Sequence, residues 1–398
     1  MNKNKITVLG IETSCDDTSM AVISGDKETF LSSSPYPSSL SSPSFPQIRA
    51  HLSFNHEKVL AHFGGIVPEV AARNHMYKLM PLLKEVLKEA NINLRNSNEI
   101  DIIAVTTHPG LLGPLLTGLN LAKTLSLLLE RPIFPVNHLY AHLEAIHLHD
   151  NVSYPYLGLL VSGGHSIYFL VRSSIDFCVI GSTIDDAAGE AFDKGGRLMG
   201  LPYPSGRIID DLAKEGDPLR FEFPVGLKGK NSANLSYSGT KTSLKNFLQE
   251  NPSMILKTSA AEGTVTFSQD MKDLCASYQR SIVMALKEKL YVALEMAQNM
   301  IAQKNELGEM ELPIVIGGGV AANGYLRKVF SESFDKDSNV EGTNKGTRVH
   351  FVLPKYCTDN GAMIANYALR NYQLNIPYPK SLEIDARGRF IEKTSFIS

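Results

Sequence analysis

Apolar and polar positions follow two periods along this chain, and the changes of period mark out its elements. Residues 6–11 (ITVLGI) and 19–23 (SMAVI) are short apolar runs separated by the polar stretch 12–18, which predicts a strand, a turn and a return strand. From Val67 to Ala90 the apolar residues fall at helical spacing, with Pro81 expected to interrupt the helix. Residues 102–106 read as a strand, 108–114 as a Gly/Pro turn, 115–129 as an apolar helix and 133–136 as a further strand. Asn137 then stands where it can cap a helix over 138–149.

The strand–turn–strand pattern returns at 156–161, 162–165 and 167–171, about 150 residues after its first appearance. Two halves that each open on a hairpin and continue into strand–helix alternation predict a duplicated α/β architecture. Farther on, Leu274, Tyr278, Ile282, Leu286, Leu290, Leu294 and Ile301 form the stripe of a long core-packing helix. Residues 313–316 and 349–353 read as strands and 358–369 as a last helix. The expected division is an N-terminal lobe of 1–150, a C-terminal lobe of 151–372 and a tail of 373–398.

Composition narrows the class. With 398 residues, 43% apolar and 20% charged, the chain has a globular make-up and not that of a disordered, collagenous or disulfide-scaffold protein. Lys plus Arg number 39 and Asp plus Glu 41, so the net charge of −2 supplies no general attraction to nucleic acid or membrane. Four cysteines without a CxxC pair suit a reducing compartment. The first apolar run stops at Glu12, too soon for a secretory segment. Residues 111–129 contain Pro114, Thr117, Asn120, Lys123 and Thr124 and do not read as a membrane span. A cytoplasmic protein with no membrane partner is expected. Residues 32–44, with eight serines and three prolines, and residues 341–346 read as surface insertions.

Candidate chemistry lies in four places. Glycine-bearing turns follow strands at 109–113, 162–164, 195–196 and 317–319, and their backbone amides could hold phosphate oxygens, although neither GxxxxGK[ST] nor GxGxxG is present. His138 and His142 stand at i and i+4, a metal-chelating spacing; the sequence HLYAH lacks the glutamate of a zincin, and Asp359 is a candidate third ligand. The run 182–206 gathers Asp185, Asp186, Glu190 and Asp193 among small residues, suited to ribose hydroxyls, a cation or proton transfer. Segment 220–245 holds Arg220, Lys228, Lys230, Lys241 and Lys245 against Glu222, with Phe221, Phe223, Tyr237 and Phe247 interleaved or adjacent, and reads as a nucleic-acid patch or a solvated loop.

Several segments together resemble one family. GIETSCDDTSMAVI, VNHLYAHLEA, LLVSGGHS, IDDAAGEAFDK, YSGTKT, GGGVAANGYLR and CTDNGAMIA occur in order across nearly the whole chain. They are similar to the tRNA threonylcarbamoyladenosine transferase (TsaD) family. The resemblance implies a duplicated two-lobe α/β fold of the ASKHA (actin and Hsp70-like) class with a nucleotide cleft between lobes. It implies transfer of a threonylcarbamoyl group from threonylcarbamoyl-AMP to N6 of the adenosine 3′ of the anticodon, in tRNAs reading ANN codons.

By matching position, it implies one divalent metal, iron with zinc as the alternative, on His138, His142 and Asp359. It also implies an adenylate held by Leu160, Val161, Ser162, Gly163, Gly164, Asp193, Gly206, Asp210 and Asn323. A TsaB-like paralogue and a TsaE-like ATPase are the implied protein partners. The nucleophile would belong to the tRNA, in keeping with the lack of a Ser/His/Asp or Cys/His triad, and no catalytic side chain is assigned. The chain departs from the family pattern at Ser205 (YPSG for YPGG), at His108 (THPGL for GPGL) and in SGTKT for SGLKT. A sugar or acetate kinase of the same fold and an ATP-switched binding module are the rival readings, neither of which needs the histidine pair.

Overall fold

The computed structural model describes residues 4–28, 45–56, 63, 65–95, 99–227, 229, 231–256, 267–303, 312–334 and 347–390. The segments 32–44 and 341–346, and the side chains of Lys228 and Lys230, lie outside these residues. The chain divides into two compact units. The first comprises Met1–Tyr154, Val171–Cys178 and Lys355–Ser398; the second comprises Pro155–Leu170 and Val179–Pro354.

The first unit opens with β1 (Lys5–Glu12), β2 (Asp17–Asp26) and β3 (Gln47–Asn55), followed by α1 (Pro68–Glu89), β4 (Ile102–His108), α2 (Leu112–Leu129), β5 (Ile133–Asn137) and α3 (His138–Glu144). β1 and β2 pair antiparallel from Lys5↔Asp26 to Glu12↔Ser19, while β4 joins β1 in parallel. The sheet order is β3-β2-β1-β4-β5. β1 beyond Lys5 and all of β4 are buried on both faces, in keeping with the mainly apolar runs 6–11 and 102–105.

The second unit contains β6 (Tyr156–Val161), most of β7 (Ser166–Ser173) and β8 (Asp176–Ser182), α4 (Ala188–Leu198), α5 (Gly206–Ala213), α6 (Ser238–Glu250), α7 (Gln269–Ala302), β9 (Ile314–Gly317), α8 (Gly324–Phe334) and β10 (Val349–Phe351). Its sheet order, β10-β9-β6-β7-β8, repeats that of the first when read from the other edge. This is the duplicated α/β, actin and Hsp70-like class implied by the sequence. In each sheet the expected hairpin is extended by an edge strand, β3 or β8, that the sequence pattern did not reveal. Both are partly exposed, so they carry no clean apolar alternation. The chain then forms α9 (Pro354–Cys357) and α10 (Gly361–Arg370). It rejoins the first unit at Lys355, earlier than the 372 boundary read from sequence, because α10 lies on β1 and β2.

Pro81 does not interrupt α1. The carbonyl it leaves unpaired belongs to Tyr77, on the solvent side, while His75, Leu79, Leu83, Val86 and Leu87 bury the opposite face. α2 has the length and composition to cross a membrane, with a mean hydropathy of 1.3. Its Leu115, Leu119, Ala122, Leu125 and Leu129 are instead part of the first unit's core. The helix expected over 138–149 is α3 followed by a 3-10 turn, Ala145–Leu148.

Two glycines set the approach of α10 to the sheet. A Cβ on Gly10 would lie 2.3 Å from the Gly361 carbonyl oxygen, and one on Gly361 would lie 2.6 Å from the backbone of Met20 and Ala21. With glycine at both places the start of α10 rests directly on the strands.

Candidate functional site

The side chain of Asn137 accepts hydrogen bonds from the amides of Leu139 and Tyr140 and so caps α3, whose every residue is buried. One face of α3 carries His138 and His142. Asn360 caps α10 through the Met363 amide and donates to the carbonyls of Tyr356 and Thr358, which freezes the turn bearing Asp359. The Gly361 amide is anchored on Ser19 Oγ.

These supports bring three ligand atoms together. His142 Nε2 lies 3.2 Å from His138 Nε2 and 3.1 Å from Asp359 Oδ1, and His138 Nε2 lies 3.5 Å from the same oxygen. Two imidazole nitrogens and a carboxylate oxygen directed at one point make a donor set that could hold a metal ion. The surroundings fit that use. His138 Nδ1 faces Glu12 Oε2 at 3.1 Å, so the ring can keep its proton on Nδ1 and offer the Nε2 lone pair, the carboxylate–histidine arrangement common behind metal ligands.

Glu12 is itself fully buried and held. It accepts from the Ser14 amide at 2.5 Å and from Thr106 Oγ1 at 2.6 Å, and Ser14 Oγ also reaches His138 Nδ1 at 3.1 Å. Burial opposes a charge on His138, but the Asp359 and Glu12 carboxylates outweigh it and raise the imidazole to about 9. Burial likewise resists ionisation of Glu12, yet His138 holds that carboxyl below its usual range. Burial and the neighbouring His138 lower His142. Burial, then Asp359 and Asp16, lift Asp17 to about 8. A cation would compete with the proton on His138 and relieve this crowding of carboxylates. The sequence pattern assigns no role to Glu12 or Ser14; the available signal is a carboxylate ending a mainly apolar strand.

In the second unit, Leu160 and Val161 end β6 as buried strand residues, and the turn Ser162–Gly163–Gly164 follows. The amides of Gly189 and Glu190, at the start of α4, donate to the carbonyls of Ser162 and Gly163. That fixes the turn. A Cβ on Gly163 or Gly164 would meet nothing within 4 Å, so this backbone faces open space. Gly318, at φ +94°, lies against β6, where a Cβ would stand 2.3 Å from the Val161 carbonyl oxygen.

The side chains expected to touch adenylate are committed to backbone. Asp193 accepts from the Ser205 amide at 2.8 Å; burial raises its carboxyl while the Ser205 and Gly206 amides pull it down. Asp210 accepts from the amides of Gly324 and Tyr325, and Asn323 Oδ1 accepts from Leu326, so both cap α8. The Asn323 amide donates to Gln279. Gly206 opens α5. Ser205 has φ −93° and ψ −17°, a conformation open to any residue, and its hydroxyl donates to the Pro202 carbonyl. Serine in place of the family's glycine therefore leaves this loop unstrained. Asp185 and Asp186 hold the start of α6 and the amines of Lys194 and Lys241.

The basic segment is less available than its composition suggests. Arg220 pairs with Asp270 and Asp273, and Lys241 with Asp186; Lys245 is exposed. Its aromatic residues form no stacking platform. Phe221 and Phe247 pack at 5.0 Å between centroids, Phe223 packs on Phe247 and on Tyr278 of α7, and Tyr237 is fully buried.

The family described as TsaD, tRNA N6-adenosine threonylcarbamoyltransferase, matches residues 47–366. Proteins of that name are similar over nearly the full length. The one from Rhizobium etli (strain CIAT 652) is 37% identical over 96% of this chain and 93% of its own. Those from Geotalea uraniireducens (strain Rf4) and Thermosipho africanus (strain TCF52B) are 38% and 37% identical, over 92% and 94% of this chain and 92% and 97% of theirs. With a family match over most of the chain, and relatives aligned nearly end to end, this chain belongs to the tRNA N6-adenosine threonylcarbamoyltransferase family.

Proposed function

We propose that the protein transfers the threonylcarbamoyl group of threonylcarbamoyl-AMP to N6 of the adenosine 3′ of the anticodon in tRNAs reading ANN codons. The observation that carries this reading is the convergence of His138, His142 and Asp359, with Glu12 behind His138, in a chain of this family. Two imidazoles and one carboxylate suit iron(II) first and zinc second, and leave coordination positions for a substrate oxygen. Bound there, the cation would act as a Lewis acid on the carbonyl of the group being transferred.

The chain's own residues do the rest. Glu12 holds the His138 proton at Nδ1 and so keeps Nε2 free as a ligand. The Gly163 and Gly164 amides, facing open space, receive the adenylate phosphate. Asp193, Asp210 and Asn323 set the 203–206 loop and the α8 terminus around the nucleoside. The adenine amine of the tRNA is the nucleophile; it forms the new N–C bond as the bond to the AMP oxygen breaks, AMP leaves as the anion, and the amine gives up one proton to solvent. A TsaB-like paralogue and a TsaE-like ATPase are the partners in this reading, and the cytoplasm is its setting.

The test gives the purified protein threonylcarbamoyl-AMP and unmodified tRNA, with and without those partners, and reads nucleosides by mass spectrometry. Threonylcarbamoyladenosine should appear. If none forms under any combination, the reading fails.

A further inference from the structure

The turn between β1 and β2 brings Ser14 to His138, and each of its residues is tied to a different neighbour. Thr13 Oγ1 donates to the Pro114 carbonyl at 2.9 Å, and the Leu111 amide donates to the Ser14 carbonyl at 2.9 Å. The Asp16 carbonyl accepts from the His56 amide at 3.4 Å. The Cys15 carbonyl faces His75 Nε2 of α1 at 3.1 Å.

That last contact fixes the protons of a buried chain. A carbonyl oxygen only accepts, so His75 carries its hydrogen on Nε2 and its Nδ1 must accept. Thr18 Oγ1, 2.8 Å from Nδ1, therefore donates its single hydrogen there. Its oxygen is left with lone pairs, so His56 Nε2, at 2.7 Å, is the donor to it. His75 and Thr18 have no exposed surface and His56 has 2%. Burial holds both rings below their usual range and so in the neutral form this order requires. The order runs one way, from His56 through Thr18 and His75 to the Cys15 carbonyl.

We propose that His75 is a positioning residue for the metal centre: through the Cys15 carbonyl it holds the turn that places Ser14 and Glu12 against His138. The inference rests on the metal reading of His138, His142 and Asp359. Removal of the His75 donor frees one side of the turn, so Ser14 and Glu12 no longer fix His138 in a single tautomer and orientation. The cost falls on metal affinity.

The experiment measures Zn²⁺ affinity of the full chain by competition with a chromophoric chelator, beside thermal unfolding, for His75→Phe, His75→Gln, Thr18→Val and Thr18→Ser. His75→Phe keeps ring volume without the donor, and His75→Gln keeps an N–H that can reach Cys15. Thr18→Val keeps shape without the hydroxyl, and Thr18→Ser keeps the hydroxyl. Phe and Val should weaken Zn²⁺ binding about tenfold, the lower end of the range for losing an outer-shell partner of a ligand, and Gln and Ser should restore it. Affinity that follows the thermal midpoint across all four variants, or that is unchanged in Phe and Val, overturns the proposal. If His75→Phe yields no folded protein, the Thr18 pair decides in the same way. If the wild-type chain binds Zn²⁺ no better than His142→Ala, the metal reading falls and this inference with it.

Discussion

The candidate metal site of the first unit and the glycine turns of the second are built in opposite ways. In the first, side chains form the site: two imidazoles and a carboxylate converge, and other side chains, Glu12, Ser14 and Asn360, hold them. In the second, the exposed surface is backbone, at Gly163 and Gly164, and Asp193, Asp210 and Asn323 are spent on amides. A site made of side chains is lost by truncating one of them. A site made of backbone is altered by adding a Cβ or by loosening whatever shapes the loop.

The largest effect expected is at the side-chain site. His138→Ala, His142→Ala or Asp359→Ala should each cut Zn²⁺ or Fe²⁺ affinity by more than about 100-fold, beyond the range seen for outer-shell changes, with the fold retained. Elemental analysis and metal titration check this. Full retention of metal in His142→Ala would dissolve the contrast with the second unit.

Glycine substitutions come next, and they should split. Gly318→Ala forces a Cβ to 2.3 Å from the Val161 oxygen at φ +94°, which should destabilise the protein by about 2–4 kcal/mol in denaturant unfolding. Gly164→Ala meets no atom within 4 Å and should leave stability unchanged while weakening adenylate binding in calorimetry. Equal stability losses in the two variants would mean that the 162–164 turn is structural only.

Smaller again are the caps. Asp210→Ala releases the Gly324 and Tyr325 amides and should cost about 1–2 kcal/mol of stability, the scale of a lost helix cap. If Asp210 bound the nucleoside directly, adenylate affinity would fall without that loss. Measuring both separates a residue that shapes the loop from one that touches the ligand.

The same contrast explains what was legible in the sequence. The central strands, α7 and the histidine pair were readable because burial on both faces, a 3.6-residue stripe and an i, i+4 spacing are local patterns. β3 and β8 were not, since a half-exposed edge strand repeats no strong pattern. Glu12 was hidden because its meaning depends on Thr106 and His138, over 90 residues away. The roles of Asp193 and Asp210 were obscured for a related reason: a motif names a carboxylate, but not the amide it will accept from. In segment 220–245 the composition does not reveal that Phe221 and Phe223 pack on Phe247, or that Arg220 and Lys241 are paired.

The least expected effect separates the two units by pH. Burial, then His75 and Lys78, lower His56 to about 4; burial, then Arg387, does the same to His108. Both belong to the first unit, whereas the second unit's histidines, His165 and His350, are half-buried. An unfolded histidine titrates near 6.5, so between about 6.5 and 4 the unfolded chain takes up protons that folded His56 and His108 refuse. Their contribution is therefore intact above 6.5 and is lost as the pH falls through that window. Denaturant midpoints should decline from pH 6.5 to about 5, before most carboxylates titrate, and the decline should be shallower in the double variant His56→Gln, His108→Gln. Hydrogen exchange should place the acid-induced opening in β2, β4 and α1, with α7 and β9 still protected. An equally steep decline in the double variant, or opening that begins in α7, would assign the acid sensitivity to other groups and leave the units alike in this respect.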